Sequence, residues 1–314
     1  MSRFRSFAWF QDRKRPPSEY EEVTAFFSTW GIPFLPEQEG SPLAAKSAQP
    51  FLMNPDTTAI HEFFTPHTVL KSIYWEGFRD PHQIYYKTYN QMQWEAEAAL
   101  DRVLNTAEEV GHFDRLPRAY RDMLEATWPP LRFLEWAVVK AMQEVAHYAP
   151  SSPVDQCATF QVADGLRFVQ RNITFSMRLG LDRHKDRWLK DALWQPVRRL
   201  AERIMTIRDW VEAVVAANLG VQEGLLHGIF PAFTASAQAV GDFVFVHLLK
   251  ELGADLQRHV DWAQALVDYL GQDPKYGEAN RAQLAAWKEF WGSEAEDAFK
   301  LLRQALVGEE GVRG

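Results

Sequence analysis

Proline divides this 314-residue chain into two regimes. Eight of its 17 prolines (Pro16, Pro17, Pro33, Pro36, Pro42, Pro50, Pro55 and Pro66) fall in the first 70 residues, leaving nine for the other 244. Proline lacks the backbone donor that a helix interior needs, and its ring clashes with the preceding turn. The first 70 residues therefore cannot form a regular bundle. They are not the polar composition of a disordered tail either: Phe4, Phe7, Trp9, Phe10, Tyr20, Phe26, Phe27, Trp30 and Phe34 are large groups that need burial. The expectation is an extended aromatic arm over 1–70 that lies on another surface, either the body of this chain or, as the preferred reading, a partner subunit.

From about residue 81 the apolar spacing is helical. Pro81 is expected to open a helix to about 106, with Tyr85, Tyr89, Met92 and Ala96 in step. Helices are expected at about 117–127 and from Pro130 to before Pro150. Ser152 with Pro153 marks the cap and first position of a long one reaching about 178. Further helices are predicted at about 186–203, 205–228, 232–251, 254–271, 276–289 and 293–307, with no convincing period-two run and a frayed tail over 308–314. The fold class is all-α, a helical bundle over 71–307 and not a solenoid.

Composition narrows the function classes. The chain is 46% hydrophobic and 24% charged, with a net charge of −8, which argues against nucleic acid as a partner. A single cysteine, Cys157, permits no internal disulfide and no cysteine-rich metal site, and reads as a small core residue. Arg3 and Arg5 precede no apolar run, so no secretory leader is expected. The apolar segments near 209–221 and 235–249 are interrupted by Glu212, Asn218, Asp242 and His247, so neither is expected to span a membrane. A cytoplasmic protein follows. No phosphate loop, dinucleotide fingerprint or nucleophile elbow is present, and Arg13-Lys14-Arg15 is too short a basic cluster to suggest nucleic acid.

Two stretches carry the most specific signal: Ala-Asp-Gly-Leu-Arg-Phe at 163–168 and Asp-Leu-Gln-Arg-His at 255–259. In di-iron carboxylate bundles two helices each supply one Glu, and two others each supply Glu-x-x-His. Both stretches keep the frame Asp-Glu-x-Arg-His but not its ligands. Gly165 and Phe168 stand for Glu and His in the first, and Leu256 stands for Glu in the second, where His259 alone survives. Glu135 lies mid-helix 30 residues before Gly165, and a tight turn between two long helices would bring 135 and 165 to one height. Burying several carboxylates without a cation is costly, so Gly, Phe and Leu suit a bundle that holds no metal. The remaining Glu135 is expected to be held by His259 or by Arg167. Two true Glu-x-x-His matches, Glu109/His112 and Glu144/His147, sit at failing helix ends near Gly111 and Pro150. They define the competing reading, an autonomous di-iron oxidase; an unrelated helical scaffold is the other alternative.

The ordered set of segments resembles a known family. Arg13 to Thr24 is similar to the arm of the toluene and alkene branch. Trp75-Glu-Gly-Phe78-Arg79-Asp80-Pro81, Tyr85-Tyr86-Lys-Thr88-Tyr89-Asn90, Pro130-Leu131-Arg132, Gln161-Val-Ala-Asp164-Gly-Leu-Arg167, Asp209-Trp210-Val-Glu-Ala213 with Asn218, and Arg258-His259-Val-Asp-Trp262 continue the series. Together they resemble the β subunit of the hydroxylase component of bacterial multicomponent monooxygenases. The resemblance implies a ferritin-like helical fold and no catalytic, cofactor-binding or metal residue on this chain. It implies an α subunit that carries the di-iron centre and performs the O2- and NAD(P)H-dependent oxygenation, with paired α, β and usually γ subunits. It also implies a regulatory protein and a reductase or ferredoxin holding FAD and 2Fe-2S groups.

Overall fold

The computed structural model describes residues 67–307. Residues 1–66 of the expected arm, including its aromatic anchors and the basic cluster, and the tail over 308–314 lie outside the described residues. Among the described residues every regular element is helical. The long helices are α1 (Tyr86–Glu109), α3 (Leu131–Tyr148), α4 (Ser152–Arg178), α7 (Trp210–Val240), α8 (Phe243–Gly271) and α9 (Gly277–Val307). Three shorter ones are α2 (Arg118–Thr127), α5 (Asp186–Lys190) and α6 (Gln195–Ile204). The all-α expectation holds.

Several expected boundaries move, for identifiable reasons. Pro81 does not open α1: the Asp80 carboxylate accepts from the backbone N–H groups of His82 and Ile84, Gln83 sits at φ +50°, and the resulting turn delays the helix to Tyr86. Ser151, not Ser152, precedes the first helical residue of α4. That N-terminus is instead met by Glu76, whose carboxylate accepts from the Ser152 backbone N–H (3.1 Å) and hydroxyl (3.2 Å). The helix expected over 186–203 breaks between Lys190 and Gln195, where Asp191 accepts from Leu193 N. Those expected over 254–271 and 276–289 are parts of α8 and α9, and Gly292 lies inside α9 in open space.

The largest departure is α7. Its boundary was expected near 228, yet the helix continues through Pro231 to Val240 and ends at Gly241, which takes the left-handed φ of +73°. Two stretches, Val215–Gln222 and Leu225–Ile229, are wound as wider π turns. A widened turn just before Pro231 relieves the clash that the proline ring would make with the preceding carbonyl. Helix α7 is long and apolar enough to cross a membrane by length and mean hydropathy alone, but 72% of its apolar window is buried inside the bundle, as in a core helix.

Antiparallel α3 and α4 pack most extensively against each other, and α8 runs antiparallel to α4. The α4–α8 contacts descend in step from Gln161–Trp262 through Arg167–Asp255 to the stacked rings of Phe175 and Phe245, 4.8 Å apart. Along α1 and α4 the contacts rise together, from Tyr89 on Asp164 to Arg178 on Glu108, so these two are parallel. The segment before α1, tied to the start of α4 by Glu76, is also sewn to the starts of α7 and α9. Asp209 accepts from Val69 N (2.7 Å), Asp273 from Ile73 N (2.8 Å), and the Asn280 carboxamide donates to Lys71 O (2.8 Å).

Helices α7 and α9 approach closely along Gly220, Gly224 and Gly228, which are four residues apart and share one face. A methyl group on Gly220 would stand 3.0 Å from the Trp291 carbonyl oxygen, and one on Gly224 would stand 2.8 Å from Phe299 Cε2. Alanine at an exposed helical glycine gains about 1 kcal/mol in propensity, but overpacking here opposes that gain by about 1–3 kcal/mol. Gly224→Leu is therefore expected to lower the urea midpoint of the chain, whereas Gly292→Ala, facing open space, is expected to raise it or leave it unchanged. Equal effects at the two positions would contradict the close-approach argument.

Candidate functional site

The stretches that drew attention in the sequence meet in the middle of the bundle. Helix α3 supplies Glu135, α4 supplies Asp164, Gly165 and Phe168, α7 supplies Asn218 and Gln222, and α8 supplies Asp255, Leu256 and His259. All of these are buried, Glu135 to 1% exposure. The predicted level of Glu135 with Gly165 is observed: a Cβ on Gly165 would stand 2.9 Å from Glu135 Oε1 and 2.4 Å from Val139 Cγ2. The side chain missing at 165 is what lets Glu135 and Val139 fill that space.

Glu135 is not held as expected. Its Oε1 meets Gln222 Nε2 at 3.4 Å, while Oε2 is buried without a hydrogen-bond partner. Gln222 in turn lies 2.7 Å from His259 Nδ1 through its Oε1, so His259 reaches Glu135 only through this carboxamide. Arg167 turns the other way, to Asp255 and to Glu97 (3.2 Å). Gln222 is the residue that sequence reasoning missed. Its signal was a second carboxamide, four residues after Asn218, in the mostly apolar run from Val214 to Leu226, and its direction depends on the π-wound stretch that ends at it.

Around this line the charges are paired across helices. Arg258 on α8 reaches Asp164 on α4 (3.1 Å), and Arg167 on α4 pairs with Asp255 on α8. Each Asp-x-x-Arg step thus gives its carboxylate to the other helix's guanidinium. Asp164 also accepts from Tyr89 (2.8 Å) and Gln93 (2.6 Å), and it lies 3.0 Å from His259 Nε2. Arg171 carries the network outward to Asp101 (2.6 Å) and Glu97. A second buried pair closes the far side: Gln161 and Asn218 exchange hydrogen bonds of 2.6 and 3.1 Å, and Trp262 Nε1 donates to Gln161 at 3.0 Å.

The electrostatics follow from burial and neighbours. Desolvation, reinforced by the negative charge of Asp164, raises Glu135 to about 8. Desolvation also opposes charge on Asp164, but His259, Arg258 and Arg167 outweigh it and hold that carboxyl below the ordinary range. Burial pushes the His259 imidazole down despite Asp164 beside it. Desolvation pushes the buried Cys157 thiol well up, as suits a core cysteine.

These residues do not fit a di-iron centre. Such a centre draws on four carboxylates and two imidazoles directed at one point. Here Asp164 and Asp255 are already engaged by arginines, and Phe168 has joined an aromatic cluster with Trp128 (5.9 Å) and Phe230 (6.3 Å). Leu256 is buried and apolar. Among the described residues no three His, Cys, Asp or Glu side chains are grouped to hold a metal ion. The two Glu-x-x-His matches are far apart. His112 binds Asp242 (3.0 Å) beyond the end of α1, next to the end of α4, whereas exposed Glu144 and His147 lie at the end of α3, next to the start of α4. The 27 residues of α4 that separate those ends span about 40 Å.

Comparison with known proteins agrees with this architecture. The methane/phenol/alkene hydroxylase family matches residues 56–290. The chain is 27% identical to the β subunit of the toluene-4-monooxygenase hydroxylase component of Ectopseudomonas mendocina, over 94% of this chain and 88% of that one. It is 26% identical to the oxygenase component DmpL of phenol 2-monooxygenase from Pseudomonas sp. CF600, over 79% and 76%. A structure of toluene 4-monooxygenase with toluene bound in its resting active site superposes with a TM-score of 0.77 at 25% identity, covering 93% of this chain and 95% of that one. With the family matched over most of its length and the helical fold shared, the chain belongs to the methane/phenol/alkene hydroxylases.

Proposed function

We propose that this chain is the non-catalytic β subunit of a di-iron hydroxylase. The assembly inserts one oxygen atom from O2 into an aromatic or alkene hydrocarbon at the expense of NAD(P)H, with the chemistry in the α subunit. The observation that carries this reading is that Gly165, Phe168 and Leu256, which stand where the di-iron pattern has Glu, His and Glu, are buried in the middle of the bundle with Glu135, in a hydroxylase fold. A bundle whose metal positions have been filled with apolar bulk and with carboxamides satisfied by one another is suited to support, since its middle is packed and not open to substrate.

The partner is an α subunit, in a paired assembly with a γ subunit, served by a regulatory protein and by electron-transfer components that hold FAD and 2Fe-2S groups. The arm expected over 1–70 grips α through Trp9, Phe10, Trp30 and Phe34 as anchors, while its last residues, 67–70, lie on this chain's own body through Asp209 and Trp210. Obligate subunit interfaces are large and apolar, and Trp94, 71% exposed on α1, extends such a surface onto the described body. The compartment is the cytoplasm, where a reducing environment suits a free cysteine.

Three measurements bear on this. Iron assayed in the co-purified assembly is expected to track the α subunit, with none bound stoichiometrically by this chain alone; an iron-loaded β chain would overturn the assignment. Removing residues 1–35 is expected to lower co-purification with α at least tenfold, and unchanged recovery would refute the gripping role. The double variant Gly165→Glu/Phe168→His, which restores the lost pair, is expected to bind no iron. It should also lose about 1–3 kcal/mol in denaturant unfolding, because Val139 and Glu135 occupy the space that a side chain at 165 requires.

A further inference from the structure

Four side chains in series join α3 to α4 through the bundle: Glu135, Gln222, His259 and Asp164. The successive contacts are 3.4 Å (Glu135 to Gln222), 2.7 Å (Gln222 to His259 Nδ1) and 3.0 Å (His259 Nε2 to Asp164). Three contacts need three hydrogens. Along this line Gln222 provides one, because a carboxamide presents N–H at one end and C=O at the other, and a neutral imidazole also provides one. Asp164 does not supply the third. Tyr89 and Gln93 donate to its Oδ1 and Arg258 to its Oδ2, an arrangement that requires the carboxylate. With two hydrogens, one contact would set lone pair against lone pair in a buried site, where an unmade hydrogen bond is costly.

We propose that this chain binds one exchangeable proton at the centre of its bundle, seated on Glu135 and shared through Gln222 with His259. With the Gln222 Nε2 on Glu135 and its Oε1 on His259 Nδ1, as the structure orients this carboxamide, the complete arrangement has the proton on His259, both ring N–H groups donating, and Gln222 N–H donating to the Glu135 carboxylate. A half-turn of the carboxamide gives the other complete arrangement, the resting one: the Glu135 O–H donates to the Gln222 carbonyl, the Gln222 N–H donates to His259 Nδ1, and His259 Nε2–H donates to the Asp164 carboxylate. Both arrangements have all three hydrogen bonds; loss of the proton leaves two.

The surroundings favour Glu135 as the seat. Arg167, Arg171 and Arg258 are all committed to Asp164, Asp255, Glu97 or Asp101, and none reaches Glu135. The charged and titratable groups around it are Tyr89 and Glu97 from α1, Asp164, Arg167 and Arg171 from α4, and Asp255, Arg258 and His259 from α8. Helix α7 presents only the uncharged Asn218 and Gln222. The raised Glu135 and the lowered His259 point the same way. A narrow exit exists: Asp164 and His259 border a cavity of about 20 Å³ lined also by Tyr89, Cys157 and Trp262, room for one water. His82, paired with Asp261 at the surface, borders the same cavity.

The direction of pH dependence follows. Glu135 holds its proton up to about 8 in the folded chain but only to about 4.3 when unfolded. Between those values folding takes up a proton. Stability therefore falls as pH rises through that window, by up to about tenfold in the folding equilibrium per unit, and levels off above it. Glu135→Gln keeps an N–H donor toward Gln222 and removes the titration.

The test is an infrared difference spectrum, wild type minus Glu135→Gln, on the full-length chain co-produced with its α subunit, so that carboxyl groups common to both cancel. At about pH 6.5 the difference is expected to show the C=O stretch of an un-ionised carboxylic acid, and that band is expected to vanish by about pH 10. No such band at the lower pH, or a band unchanged at the higher, would overturn the proposal. Should Glu135→Gln fail to assemble, the titrating band is read in wild-type protein made with carboxyl-labelled glutamate, where an isotope shift supports the proposal and its absence refutes it. The inference rests on this chain's own side chains. Iron content and assembly, which test the subunit assignment, leave it untouched.

Discussion

Two aspartate–arginine pairs that cross between α4 and α8 fix the register on which the rest of the bundle depends. Asp164 with Arg258 and Asp255 with Arg167 are spaced three residues apart on each helix, so each helix presents one charge of each sign on the same face. In an antiparallel pair only one sliding position matches both signs at once. A slip by one turn would leave buried charges without partners, at about 3–5 kcal/mol for each broken pair. The same charges reach α1 through Glu97 and Gln93, which accounts for a third helix lying parallel to α4 over its length.

With register fixed this way, the positions between the charges become free to be apolar. Gly165 admits Val139 and Glu135 into its place, Leu256 is buried, and Phe168 becomes part of an aromatic cluster with Trp128, Phe175, Phe233 and Phe245. An imidazole at 168 would bring polar nitrogens into that cluster with no partner nearby, at the cost of burying an unpaired polar group. The guanidinium groups of Arg167 and Arg258 supply positive charge that helps keep Asp164 ionised in a buried place, and both also pair with Asp255. Positive charge that bound metal would bring to such a bundle is here built into two side chains.

Much of this was legible in the sequence because it rested on spacing. The 30-residue step from Glu135 to Gly165 and the altered Asp-x-x-Arg frames depend on local chemistry and helix periodicity, and the structure brings them to one level of the bundle. What escaped depended on non-local packing. The continuation of α7 through Pro231 requires π turns that a 3.6-residue pattern does not encode, and those turns aim Gln222 at Glu135. The glycines at 220, 224 and 228 read as scattered until α9 was seen against them. Ser152 looked like a self-sufficient cap, but the group that meets that helix end is Glu76, 76 residues earlier. Arg167 was one of two partners expected for Glu135, whereas Asp255 and Glu97 offer it full negative charges.

The clasp between residues 67 and 80 has a mechanical consequence. Asp209, Asp273, Asn280 and Glu76 tie this short segment to the starts of α7, α9 and α4. Any pull transmitted along the chain from before His67 is therefore shared among three helix termini at once, like load on a stay fixed to several posts. Glu76 puts one of those posts at the head of α4, the helix that carries Asp164. Tension there acts along the axis on which the buried charges are registered. A pull on the preceding residues would thus be mechanically continuous with the centre of the bundle, which Asp80 of the clasp itself approaches at the cavity beside Asp164 and His259.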